Sequence, residues 1–152
     1  MGKIKAVFFD IDGTLVSFKT HRIPQSTLDA VAALRSRGIK VYIATGRPVP
    51  FIDNLGELEY DGMITVTGAH CFTRGGEIIF HRPVSTGSVE RVVEHLTHGA
   101  DTYPVVFVCS DEMFITELNE DVDAVARLLD IKCRQFVRLR MPAEKMSCQL
   151  IS

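Results

Sequence analysis

Residues 6–15, Ala-Val-Phe-Phe-Asp-Ile-Asp-Gly-Thr-Leu, constrain this chain more than any other stretch. An unbroken apolar run ends in two carboxylates one residue apart, followed at once by Gly-Thr. Continuous apolarity, without alternation, is the pattern of a parallel strand covered on both faces, and ligands collect at the carboxyl ends of such strands. Asp10 and Asp12 fall at that end. In extended chain, side chains two apart point the same way, so both carboxylates address one point while Ile11 turns back to the core. Gly13 lets the backbone leave tightly and brings its N–H close to an anion. Neighbouring carboxylates repel unless a cation lies between them. The pattern therefore reads as a Mg²⁺ site in which Asp10 can also attack a phosphoryl group. An ordinary Asp-Gly turn accounts for the glycine and one acid, but not for paired acids closing an apolar strand.

A polar linker, Val16 to Arg22, leads to a helix with Ser26 and Asp29 as a capping pair, Leu28, Val31 and Leu34 at helical spacing, and Gly38 as its stop. Ile39 to Thr45 is the second strand. Strand, helix and strand in that order form a βαβ unit, so the two strands are expected to be parallel neighbours with Thr45 at the same sheet edge as Asp10. Thr45-Gly46-Arg47-Pro48 joins a hydroxyl, an accessible N–H and a helix start, a compact phosphate cradle. Arg47 has two readings, a cation facing substrate or a residue fixing the helix that follows. That helix, from Pro48, would present Phe51, Ile52, Leu55 and Leu58 on one core-facing stripe. Gly62 to Val66 reads as a third strand, and Arg74-Gly75-Gly76 as the turn of a hairpin between segments 71–73 and 77–80.

The pattern changes near Arg82-Pro83, which divides the chain into 1–82 and 83–152. The second part reads as a helix through Val89, Val92, Val93 and Leu96, stopped by Gly99. A hairpin of Tyr103–Val108 with Met113–Leu118 about Ser110-Asp111-Glu112 follows, then a helix through Val122, Val125, Ala126 and Leu129. The mixed run Cys133 to Leu139 and a strand beginning at Met146 close the chain. His95 and His98, three apart on a helix with no third ligand in view, read as a solvated face, and His70 beside a turn as structural or solvated.

Asp10-Ile11-Asp12-Gly13-Thr14-Leu15 resembles the first motif of the haloacid dehalogenase-like superfamily of phosphohydrolases, and Ala44-Thr45-Gly46-Arg47-Pro48 resembles the second motif of its Cof-like branch of sugar-phosphate phosphatases. The resemblance implies a Rossmann-like α/β fold, a parallel-sheet core (1–82) with an inserted α/β cap (83–152), truncated within the cap. It implies that Asp10 is the nucleophile forming an aspartyl-phosphate, that Asp12 is the general acid and base, and that Asp10 with the Asp12 carbonyl binds Mg²⁺. Thr45 and the Gly46 amide would hold the transferring phosphoryl group, with Gly13 and Arg47 in the same phosphate-binding set. Thr67-Gly68-Ala69 stands where such proteins carry Asn-Gly-Ala. The family's later lysine and its Gly-Asp-rich loop have no counterpart, and Lys132 and Lys145 are not equated with that lysine. The expected activity of the intact protein is a Mg²⁺-dependent phosphatase of small phosphorylated metabolites, with the 152-residue chain alone expected to be catalytically near silent. A phosphotransferase or mutase on the same intermediate, and a noncatalytic binding module, are the alternatives.

At 152 residues with a formal charge of −2, the chain offers no electrostatic case for nucleic acid or an anionic membrane. No apolar run approaches a membrane span. Four cysteines, Cys71, Cys109, Cys133 and Cys148, are widely spaced and read as reduced core thiols of a cytoplasmic protein. The first strand is too apolar for an open sheet edge, which predicts self-association through its uncovered side.

Overall fold

The computed structural model describes residues 3–98, 103–108, 113–128 and 136–138. The chain divides into two units, Met1–His81 and Arg82–Ser152. The first contains β1 (Ala6–Phe9), α1 (Gln25–Ser36), β2 (Lys40–Ala44), β3 (Gly62–Thr65), β4 (His70–Thr73) and β5 (Ile78–His81). These strands form one sheet in the order β1-β2-β3-β4-β5. A crossover through α1 makes β1 and β2 parallel, in register from Ala6↔Lys40 to Phe9↔Ile43. β2 and β3 are also parallel, and the tight Arg74-Gly75-Gly76 turn makes β4 and β5 antiparallel. The fold is thus α/β, with a mixed sheet whose first three strands are parallel.

Val41 and Ile43, two apart on β2, turn fully inward and meet Val31 of α1, Met63 of β3 and Ile11 and Leu15 from the loop after β1. Each such burial is worth about 1.5–3 kcal/mol before entropy is subtracted. β1 is less covered than its apolar run predicts. Among the described residues it is the edge strand, and Phe8 is 56% exposed, stacked on Tyr42 at 5.1 Å between centroids.

Helix boundaries show where local chemistry prevailed. α1 starts at Gln25 with Pro24 in the cap position and no side-chain cap. The expected Ser26–Asp29 pair does not form, and Asp29 instead accepts a hydrogen bond from Gln25 Nε2 at 2.9 Å. Gly38, at φ +75°, ends the helix as expected, its N–H bonding to the Arg35 carbonyl at 2.9 Å. The helix expected from Pro48 is only a 3₁₀ turn, Val49–Phe51. Ile52, at φ −107° and ψ 81°, leaves helical backbone directly after the turn, and Gly56 takes φ +53°, so the segment does not continue as a helix. Phe51, Leu55 and Leu58 are buried all the same.

At the opposite sheet edge Asp61 ties the elements together. Its carboxylate accepts hydrogen bonds from the Val41 N–H at 2.9 Å, Lys40 Nζ at 3.0 Å and Arg35 of α1. Burial alone would push this carboxyl up. The Val41 N–H, the Lys40 hydrogen bond and the charges of Arg35 and Lys40 outweigh it and hold the group below its ordinary 3.8. A folded value below the unfolded one gives stability that is complete above pH 3.8 and lost as the pH falls through the folded value. Asp61→Asn should therefore lower stability by about 1–2 kcal/mol at pH 7. Urea midpoints measured down through pH 3.8 should fall less steeply in the variant than in the unaltered chain.

In the second unit, α2 (Thr86–His98) sets Val89 against Phe107 of β6 (Val106–Val108), with Val93 and Leu96 alongside. β6 pairs antiparallel with β7 (Met113–Ile115), as the hairpin pattern predicts, and β7 pairs in parallel with β8 (Phe136–Arg138). α3 (Glu120–Leu128) is capped by Asn119, whose Oδ1 accepts the Val122 N–H at 3.0 Å. His95 and His98 are exposed, in keeping with a solvated face. The expected stop at Gly99, the turn at 110–112, the helix end at Leu129, most of the 133–139 run and the strand from Met146 lie outside the described residues. Among the described residues no helix is long and apolar enough to cross a membrane.

Candidate active site

Because β1 and β2 are parallel and in register, Asp10 and Thr45 emerge at the same edge of the sheet. The Thr45 N–H is pinned to the Ile64 carbonyl of β3 at 2.9 Å, and its side chain is buried. From this point Arg47 reaches back across the edge. Its Nε and Nη2 donate to the two oxygens of Asp12 at 2.7 and 2.6 Å, and Nη1 donates to the Phe51 carbonyl at 2.9 Å. The Arg47 N–H also donates to Thr45 Oγ1 at 3.1 Å. This bidentate pair is largely enclosed, with side-chain exposures of 6% for Arg47 and 21% for Asp12. Of the two readings of Arg47, its observed contacts are those of a residue fixing its surroundings.

The two carboxylates are therefore unlike. Asp12 is neutralised by a guanidinium, whereas Asp10 is exposed and meets no hydrogen-bond donor or cation among the described residues. The expectation that both address one point assumed extended chain through Asp12. The strand ends at Phe9, and the Ile11 carbonyl already accepts the N–H groups of Leu15 and Val16 at 3.1 and 2.8 Å, closing a turn.

Gly13 corrects a second expectation. Its N–H donates to the Val16 carbonyl at 2.9 Å and so is not presented to a phosphate. What the position requires of glycine is conformational: φ is +77°, and a Cβ would lie 2.7 Å from the Phe18 ring. Phe18 is half exposed and can swing away, so the backbone term dominates. Gly13→Ala should cost about 1–2 kcal/mol, read as a lower urea midpoint. Gly46 differs: it is exposed, its N–H meets no acceptor among the described residues, and a Cβ would find only Thr67 Oγ1 at 3.6 Å. Its amide is open to an anion.

The loop after β3 buttresses this edge. The Val66 N–H donates to the Arg47 carbonyl at 3.2 Å and the Thr67 N–H to the Thr45 carbonyl at 3.4 Å. Both residues are left-handed, at φ +50° and +54°, which β-branched side chains resist. Asparagine tolerates that region far better. Thr67→Asn should raise the melting temperature, with a gain of up to about 1 kcal/mol. Just beyond, burial and the nearby His81 hold the His70 imidazole below its ordinary value.

For a hard cation, the Asp10 carboxylate and the Asp12 main-chain carbonyl are suitable oxygens, and neither is engaged by a hydrogen bond among the described residues. Among those residues no group of three or more His, Cys, Asp or Glu is arranged for a metal. Mg²⁺ commonly keeps several waters and is held through one or two carboxylates plus substrate phosphate, so the available donors fit it. The Asp12–Arg47 pair and the Phe51 carbonyl were not identified from sequence. They are contacts across a fold edge, for which the sequence offered only the two opposite charges.

Residues 7–137 match the family model described as haloacid dehalogenase-like hydrolase. The YkrA protein of Bacillus subtilis (strain 168) is 34% identical over 114 residues, which cover 74% of this chain and 42% of that protein. The HMP-PP phosphatase of Klebsiella pneumoniae (strain 342) is 35% identical over 95 residues, 61% of this chain and 34% of its own length. The solved structure of the HAD subclass IIB sugar phosphatase BT4131 aligns with a TM-score of 0.75 at 40% identity, covering 88% of this chain and 52% of the other. The chain thus spans about a third to a half of the length of these relatives. With the matched region running from β1 through β8, the chain belongs to the haloacid dehalogenase-like hydrolase family.

Proposed function

We propose that this chain carries the nucleophile of a Mg²⁺-dependent phosphatase acting on small phosphorylated metabolites, sugar phosphates foremost, through an aspartyl-phosphate on Asp10. The observation that carries the reading is the inequality of the two acids, one carboxylate free and exposed, the other held on both oxygens by Arg47. An unpaired carboxylate is the better nucleophile, and an oriented one the better proton carrier. Asp10 attacks phosphorus in line. Asp12, entering the cycle protonated on an oxygen released by Arg47, gives that proton to the leaving oxygen and regains one from the water that hydrolyses the intermediate, Arg47 fixing the plane in which it does so. To donate, an oxygen of Asp12 must be released by one guanidinium nitrogen. The Thr45 hydroxyl and the Gly46 N–H are placed to receive phosphoryl oxygens. Mg²⁺, held through Asp10 and the Asp12 carbonyl, would neutralise charge on the transferring group. A sugar phosphatase and an HMP-PP phosphatase among the relatives support the substrate class, and the free Cys71 thiol supports a cytoplasmic location.

The test is covalent trapping. The 152-residue chain, and the polypeptide encoded by the full reading frame, are mixed with ³²P-labelled sugar phosphate and Mg²⁺ and quenched in acid. A hydroxylamine-labile label on the peptide holding Asp10 is expected. Turnover with no label there would sink the mechanism. Release of free phosphate, as opposed to a rearranged sugar phosphate, separates the phosphatase from a mutase.

We further propose that a second copy pairs with the open edge of β1. Antiparallel pairing about a two-fold axis between Val7 and Phe8 would set Ala6 against Phe9 and leave Asp10 beyond the paired segment. Exposed Ile4 and Phe8 flank the seam. Light scattering should show concentration-dependent dimers that Phe8→Lys abolishes. A monomer at all concentrations overturns the pairing.

A further inference from the structure

The β4–β5 hairpin holds a second chemical feature. His70 and His81 stand directly opposite each other in the antiparallel register, so their side chains leave the same face of the sheet. Their rings lie 5.2 Å apart between centroids at a tilt of 59°, and Phe72, two residues along the same face, closes one side of His70 at 4.8 Å. Each ring has one enclosed nitrogen with no hydrogen-bond partner among the described residues, Nδ1 of His70 and Nε2 of His81. An unsatisfied buried polar atom costs about 1–3 kcal/mol, and here two occur on neighbouring rings. The backbone beneath is firm, since the fully buried Thr65 donates its hydroxyl to the His70 carbonyl at 3.2 Å. Cys71 points to the opposite face of the strand, where its Sγ lies 3.8 Å from the Gly68 carbonyl, and takes no part.

A neutral imidazole carries one N–H and one bare lone pair. Two imidazoles side by side, each with an unpartnered enclosed nitrogen, suit a Lewis acid bound between them. We propose that His70 and His81 form a two-imidazole site for a borderline divalent cation of the zinc, nickel or copper class. Imidazole nitrogen selects those ions, whereas Mg²⁺ takes oxygen, so this site is chemically distinct from the one at Asp10. Among the described residues no group of three such ligands occurs, so water would complete the coordination shell. A bound ion would also join β4 to β5 by a cross-strand link.

The experiment uses the purified chain with each metal salt alone. Isothermal titration with ZnCl₂ should give one site, and a melting scan should show a rise that MgCl₂ does not reproduce. With one equivalent of Cu²⁺, electron paramagnetic resonance should show coupling to two nitrogens. His70→Gln and His81→Gln should each weaken Zn²⁺ binding at least about tenfold, while the double variant at His95 and His98 leaves it unchanged. Far-ultraviolet circular dichroism, together with the Asp61 pH dependence, establishes that the variants are folded. Undiminished binding in the His70 or His81 variant, or its loss in the His95/His98 variant, would overturn the proposal. So would the absence of any Zn²⁺ binding below millimolar concentration, which would leave a shared water or proton between the rings. None of these outcomes depends on phosphatase activity.

Discussion

In the intact protein, replacing Asp10 by Asn is expected to reduce turnover of a phosphate monoester by a factor of order 10⁴–10⁶, the scale seen when a nucleophile is removed from a preorganised site. An amide is too weak a nucleophile to form the acyl-phosphate. Because Asp10 is exposed and engages no partner among the described residues, the substitution should leave folding untouched. It also removes both a negative charge from the path of an anionic substrate and a carboxylate ligand for Mg²⁺, so phosphate affinity without Mg²⁺ should hold or improve while its Mg²⁺ dependence weakens. Single-turnover phosphate release, with a binding titration alongside, separates these effects. A kcat within tenfold of the unaltered enzyme would show that Asp10 is not the nucleophile.

Arg47→Ala is expected to have the second-largest effect, on two observables. It leaves Asp12 uncompensated and removes the tie to the Phe51 carbonyl, which should cost about 2–4 kcal/mol of stability. It also frees the Asp12 carboxylate to rotate. Proton delivery by a positioned group is worth about 10²–10⁴ in rate, but only where the leaving group needs a proton. The kcat for an alkyl phosphate such as a sugar phosphate should thus fall by about 10²–10³, and that for p-nitrophenyl phosphate by less than about tenfold. Arg47→Lys should restore part of the stability and little of the alkyl rate, because an ammonium cannot grip both oxygens in one plane. Equal losses on both substrates would instead make Arg47 a binding residue for the phosphoryl group.

The sequence was most legible where a single local cause decides the outcome. An apolar run, a helix of one crossover length and a second run are enough to make β1 and β2 parallel, which brings Asp10 and Thr45 to one edge. Gly38 and Gly75-Gly76 end elements because of their own backbone freedom. Legibility failed where two local preferences competed. The stripe of Phe51, Leu55 and Leu58 is a valid sign of burial, but the chain leaves helical backbone at Ile52 and turns left-handed at Gly56, and burial was met by irregular chain instead. It failed again at Gly13, where the same φ that frees the backbone turns the N–H toward Val16. The grip of Arg47 on Asp12 joins residues 35 positions apart, and no periodicity encodes it.

In the first unit, the order of strands across the sheet is the order of strands along the chain. Among the described residues of this unit, each strand can therefore add to a neighbour already made. Such near-neighbour pairing keeps loop closure cheap and assembly fast. During synthesis at about 5–20 residues per second, the interval from β1 to β3 takes roughly 3–12 s. Small α/β domains assemble in far less time than that. Asp12 would thus meet Arg47 on the nascent polypeptide, and the nucleophile edge would take shape while the second unit is still being translated.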